Sequence, residues 1–133
     1  MTTIESNHVE VAAKQLEVFE FLKDLRNLHE LLPQDKVSEF QADENQCSFK
    51  VMGAYTIGLE HHSEDAPSNL VLKSKDGAPF SFDLDIKIDE LNDQSKVHLV
   101  SQADINPFMK MMVEKPLRNL FNYIADQLHK KFQ

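Results

Sequence analysis

From Phe80 to Asp89 apolar and polar side chains alternate without a break, with Phe80, Phe82, Leu84, Ile86 and Ile88 set against Ser81, Asp83, Asp85, Lys87 and Asp89. Successive side chains of a β-strand point to opposite faces, so this stretch specifies a strand with one apolar and one wet face. Such a strand obliges the rest of the chain to pair its edges and to cover its apolar side.

Partners for the edges recur at short intervals. The same alternation turns Cys47, Phe49 and Val51 inward on one strand and Tyr55, Ile57, Leu59 and His61 on the next. Leu70 and Leu72 follow, then Val97, Leu99, Ser101 and Ala103. Between these runs lie turn-forming clusters at Ala42–Asn45, Ser63–Ser68, Asp76–Pro79 and Leu91–Ser95. They are too brief for crossover helices, which predicts an antiparallel meander. Gly53 is expected to break a hairpin between a Cys47–Met52 strand and a Tyr55–His62 strand. Thr3–Val11 mixes Ile and Val with polar residues and suits an edge strand, which either pairs with a second copy as a homodimer or simply lies at the sheet margin.

The cover is expected from the C-terminus. Asn106 suits the cap of a helix and Pro107 its first position, where no amide donor is needed. Met109, Val113, Leu117, Leu120, Ile124 and Leu128 recur at helical spacing, flanked by Met112 and Phe121, with Lys110, Glu114 and Arg118 stacked outside. Pro116 removes the amide that would bond Met112, which predicts a kink near Met112–Pro116 or a split into two pieces. Near the N-terminus, Leu16, Phe19 and Leu22, widened by Val18 and Phe21, predict a short amphipathic helix over Ala12–Leu22. Leu25, Leu28, Leu31 and Leu32 continue from Asp24, which suits the cap, until Pro33 stops a second short segment.

A chain of 133 residues, 41% apolar and 27% charged, fits one soluble globular domain spanning 1–133. Its net charge of −8 argues against nucleic acid as a partner, because phosphate binding needs clustered Lys and Arg. Residues Asn106–Gln133 carry a local +3 and the remainder −11, which reads as a solvated basic face complementing an acidic sheet. Cys47 is the single cysteine and has no internal partner. Met1–Glu5 shows neither a basic stretch nor an apolar segment of the export type, and no apolar run approaches the ~18 residues of a membrane span. A cytoplasmic protein without an integral membrane segment is therefore expected.

One strand, two short helices, six strands and a long helix is an order that resembles the START-like (SRPBCC) superfamily. The likeness is carried by Val18–Leu28, similar to that family's opening, and by the Asn106–Leu120 helix. It implies an α+β helix-grip fold, in which a curved antiparallel sheet of about seven strands (order β-α-α-β6-α) wraps around a long C-terminal helix. Polyketide cyclases and dehydrases, lipid-transfer proteins, hormone-binding plant proteins and chaperone activators are among its members. The function implied is binding or carriage of a hydrophobic small molecule or lipid between sheet and helix. Two alternatives follow: a cyclase or dehydratase acting on a bound ketone, and a chaperone-activator-like interaction module with a filled core, using Lys110, Lys115 or Arg118.

The expected ligand wall comprises Phe49, Val51, Ile57, Leu59, Leu72, Phe82, Leu84, Leu99 and Ser101. Met109, Met112, Val113, Leu117 and Leu120 face it from the helix, and Tyr55 and His61 orient the guest. Methionine adapts to varied apolar guests, although at helical spacing it also serves as core filler. His61 and His62 point to opposite faces of a regular strand and cannot share a metal. His61 alone meets the apolar side, where it would hydrogen-bond a ligand or act as a base, with Tyr55 as the acid; the blander reading is a strand-end histidine satisfied by backbone or water. Cys47 and Ser101 lack a histidine partner in any motif, and a buried cysteine ordinarily behaves as a small hydrophobe. His8, His29, His98 and His129 are scattered, with no His-Glu-x-x-His and no cysteine pair, and three glycines leave little scope for a phosphate loop. No metal, no cofactor and no catalytic constellation are expected.

Overall fold

A computed structural model describes residues 1–51 and 55–133 of the chain; the hairpin break expected at Gly53 lies outside the described residues. The elements are β1 (Thr2–Glu5), β2 (Val9–Val11), α1 (Gln15–Lys23), a 3-10 helix (Leu25–Leu31), β3 (Val37–Ala42), β4 (Gln46–Val51), β5 (Tyr55–Asp65), β6 (Asn69–Ser74), β7 (Ser81–Leu91), β8 (Gln94–Asp104) and α2 (Pro107–Lys131). All strand pairs are antiparallel, in the order β1-β8-β7-β6-β5-β4-β3, with β2 also on β8. This is the START-like helix-grip architecture.

The alternation that specified β7 is realised there: Phe82, Leu84, Ile86 and Ile88 are buried, and Asn92 turns the chain at φ 56° into β8. Asparagine tolerates that left-handed conformation better than most residues. The sheet has eight strands because the first is broken in two. Ser6 interrupts the ladder: its N–H donates to the Leu99 carbonyl at 2.9 Å, while its hydroxyl accepts the Leu99 N–H at 2.9 Å in place of a main-chain oxygen. β5 runs on to Asp65, beyond the expected His62, with a register irregularity between His61 and Ser63. Bulges of this kind bend a strand and help a sheet to curve.

α1 begins at Gln15 rather than Ala12 because Ala13 is engaged elsewhere, its N–H on Val11 O at 2.8 Å and its carbonyl under the Ser95 hydroxyl at 2.8 Å. Val18, Phe19 and Leu22 are buried, but Leu16, expected in that stripe, is exposed. In the first turn it is Gln15 that reaches the sheet, donating to Ile88 O at 2.7 Å. The second segment is a 3-10 helix, capped as expected by Asp24, whose carboxylate accepts the Arg26 N–H at 3.1 Å.

α2 starts with the Asn106 side chain accepting the Met109 N–H at 2.8 Å, with Pro107 in the first turn. It runs unbroken through Pro116, so the expected split does not occur. Its buried stripe is Val113, Leu117, Phe121, Ile124, Ala125 and Leu128, with Leu120 and Met109 at the half-buried margin.

Candidate functional site: an apolar cleft under the terminal helix

The position of α2 creates a gap. Its backbone packs closely on β1, β2, β8 and the 3-10 helix and, among the described residues, not on β4 to β7. Where the helix stands off, its first half faces the end of β4, the start of β5 and the entry to β7 across a cleft of about 180 Å³. Val51, Tyr55, Ile57, Pro79, Phe80 and Phe82 line it from the sheet, and Met112, Val113, Pro116, Leu117 and Leu120 from the helix. Among the described residues every lining side chain is apolar except for the Tyr55 hydroxyl, on a residue 39% exposed at the rim. Val51, Pro116 and Leu120 also border a larger trough of about 590 Å³, whose far side is Pro33, Asp35, Lys36, Asn119 and Tyr123.

The expected ligand wall is divided by this geometry. Val51, Tyr55, Ile57, Phe82, Met112, Val113, Leu117 and Leu120 meet at the cleft. Leu72, Leu84 and Leu99 instead border an interior space of about 10 Å³, closed by Leu22, Leu25, Leu28, Ile124 and Leu128. That volume holds about one water at most. Phe49 and Leu59 are buried in the core, with Phe49 stacked on Phe40 at 6.2 Å between ring centroids. Ser101 is buried and donates to Asp83 O at 2.7 Å. Met109 is half-buried and does not line the cleft.

His61 is engaged elsewhere. Its Nε2 lies 2.7 Å from the Lys23 carbonyl oxygen, and a carbonyl only accepts, so the proton sits on Nε2. Tyr55 and His61 are six positions apart on one strand, about 20 Å at the strand rise, so they cannot serve one reacting bond as acid and base. Cys47 is buried, and burial pushes its thiol up to about 12, which fits the hydrophobe reading.

Three linings lie outside the expected wall: Pro79, Phe80 and Pro116. Pro79 read as a turn residue, Phe80 as an inward strand residue and Pro116 as a bend in the helix; their place in the cleft depends on how far α2 stands from the sheet. The structure also gathers Glu5, His8 and His98, whose ligand-type atoms all lie within 4.8 Å of one another. Burial, then the neighbouring His8, holds the His98 imidazole below its ordinary pKa, against the pull of Glu5 and Asp89.

The sequence model of the family described as the CoxG component of carbon monoxide dehydrogenase matches residues 8–133. This chain belongs to the CoxG family. No curated protein sequence matches it. Among solved structures, XoxI of Bacillus cereus superposes on this CoxG-family chain with a TM-score of 0.78 at 13% identity, covering 99% of this chain and 96% of that one. A START superfamily protein of Mycobacterium smegmatis gives 0.76 at 13% identity, covering 98% and 96%. A point mutant of norcoclaurine synthase from Thalictrum flavum, in complex with a transition-state analogue, gives 0.77 at 14% identity, covering 98% and 93%. At these identities the likeness of the CoxG-family chain to each is one of fold.

Proposed function

We propose that this CoxG-family chain binds an apolar small molecule or lipid in the cleft between α2 and the sheet, without catalysing a reaction on it. The observation that carries the reading is the lining itself, apolar on both sides with one phenol at the rim. Cavities near 150 Å³ with such walls accept a benzene-sized guest, so the 180 Å³ cleft suits a single ring or a short branched chain. The remainder of a longer ligand would lie in the trough, where Lys36, Asn119 and Tyr123 offer polar contacts. Desolvation drives such binding at about 2.5 kcal/mol per 100 Å² of apolar ligand surface removed from water. Partial enclosure, with no acid and base converging on the cleft among the described residues, favours holding and release over turnover.

A second reading has an observation of its own. Phe108 is 73% exposed and Met111 86% exposed on the first turns of α2, beside Lys110 and Lys115. The family is described as a component of a dehydrogenase, and a protein partner seated on these side chains fits that description. The two readings separate in one experiment: native mass spectrometry of freshly purified protein, with organic extraction of whatever co-purifies. A discrete apolar adduct that disappears in Leu120→Trp supports the cleft reading. A bare mass that also takes up no added lipid contradicts it and leaves the partner-docking reading.

A further inference from the structure

On the outer face of the sheet, opposite the cleft, three side chains are arranged as metal ligands are. Strand alternation turns Glu5 and His98 outward, since their neighbours Ile4, Val97 and Leu99 are buried in the core. Glu5 pairs with Val100, which puts His98 two residues along on the same face. His8 lies in the link between β1 and β2, and its ring stacks on that of His98 with centroids 3.9 Å apart and planes 9° from parallel. Although it faces outward, His98 is only 8% exposed.

His98 is chemically unspent. Its Nδ1 is buried and has no hydrogen-bond partner among the described residues. Its Nε2 stands 3.9 Å from Glu5 Oε1, beyond hydrogen-bond range. Buried ring nitrogens are ordinarily hydrogen-bonded, so the unpartnered Nδ1 requires a reason. The link that carries His8 is anchored before it by Ser6 on Leu99 and by the Asn7 N–H donating to Asn122 Oδ1 at 2.7 Å, and after it by Val9, which pairs with Val97 of β8. The backbone on either side of His8 is therefore anchored, while the residue itself is exposed.

We propose that Glu5, His8 and His98 form a binding site for a divalent transition-metal ion of the zinc class. A tetrahedral ion with bonds near 2.1 Å sets neighbouring ligand atoms about 3.4 Å apart. The 3.9 Å gap between Glu5 and His98 is within a small side-chain adjustment of that spacing. His8 completes the set by rotating out of the stack, because an imidazole lone pair lies in the ring plane and the stacked ring directs it alongside that of His98. Two imidazoles and one carboxylate suit zinc, cobalt or nickel and leave a position for water. By tying β1, the β1–β2 link and β8 together, the ion would fasten the sheet margin. The site is independent of the apolar cleft.

The test is calorimetric titration of the untagged full chain with Zn²⁺, and with Co²⁺ followed by visible absorption. The expected result is one ion per chain, weakened by at least about tenfold in His8→Ala and in Glu5→Gln. Zn²⁺ should also raise the melting temperature of the wild type and not that of His8→Ala. His98 is buried and its replacement risks the fold, whereas His8 and Glu5 are exposed, so their variants carry the decision. Absence of saturable one-to-one uptake, uptake unchanged in His8→Ala, or uptake lost instead in a His61→Ala, His62→Ala double variant would each overturn the site.

Discussion

His61 Nε2 donates to the carbonyl oxygen of Lys23 at 2.7 Å, fastening β5 to the end of α1. A bond of this kind contributes to folding and has no part in a cleft whose nearest lining residue on β5, Ile57, lies four positions away. His61→Ala should lower stability to urea by about 1 kcal/mol, the ordinary net value of a hydrogen bond, and leave ligand uptake unchanged. Loss of uptake with intact stability would return His61 to the site.

Two leucines that look alike in sequence should respond differently to enlargement. Leu120 is half-buried on the rim, so Leu120→Trp should fill the cleft and weaken binding of the naphthalene dye ANS by about tenfold, or 1.4 kcal/mol, with the fold retained. Leu84 borders only the 10 Å³ interior space, so Leu84→Trp should overpack the core and cost about 1–3 kcal/mol. Equal effects of the two on dye binding at matched stability would mean that the interior opens to ligand.

Cys47 should be inert in the native protein. Its thiol is buried and pushed up to about 12, so at pH 8 it presents almost no thiolate. Ellman's reagent should find no reactive thiol until urea unfolds the chain, and one thereafter. Native-state reaction at the rate of a free cysteine would contradict this placement.

The Asp24–Arg26 pair gives the acid limb of stability a testable sign. The Arg26 guanidinium holds the Asp24 carboxyl below its ordinary pKa. A depressed folded-state value means that the contribution is complete above the unfolded pKa, about 3.9, and is lost as pH falls through the lower folded value. The asparagine side chain introduced by Asp24→Asn can still cap the 3-10 helix, so the variant should differ from wild type in having a shallower loss of stability below about pH 4. An identical acid profile would show that the pair does not contribute.

The fold was readable where one local rule decides the outcome. Alternation specified β7, and a capping asparagine followed by proline specified the start of α2. Features that depend on two distant segments meeting were not readable. Ser6 splits the first strand only because its hydroxyl replaces a carbonyl opposite Leu99. The cleft shows the same limit: Phe82 and Leu84 share one face of β7 and both are buried, yet Leu22, Leu25 and Leu28 close the space beside Leu84 while Phe82 borders the gap under the first half of α2. Periodicity identifies an inward face but not how much of it is filled. His8 and His98 looked scattered because it takes the pairing of β1 and β2 with β8 to bring them beside each other and beside Glu5.

The most direct test of the cleft is methyl NMR of isotopically labelled protein during titration with ANS. If the cleft is the site, the methyl signals of Ile57, Val113, Leu117 and Leu120 shift together and saturate, while those of Leu72, Leu84 and Leu99 stay in place. If the cleft signals do not move, or the response is confined to Met111 at the exposed start of α2, the chain does not hold its ligand between helix and sheet.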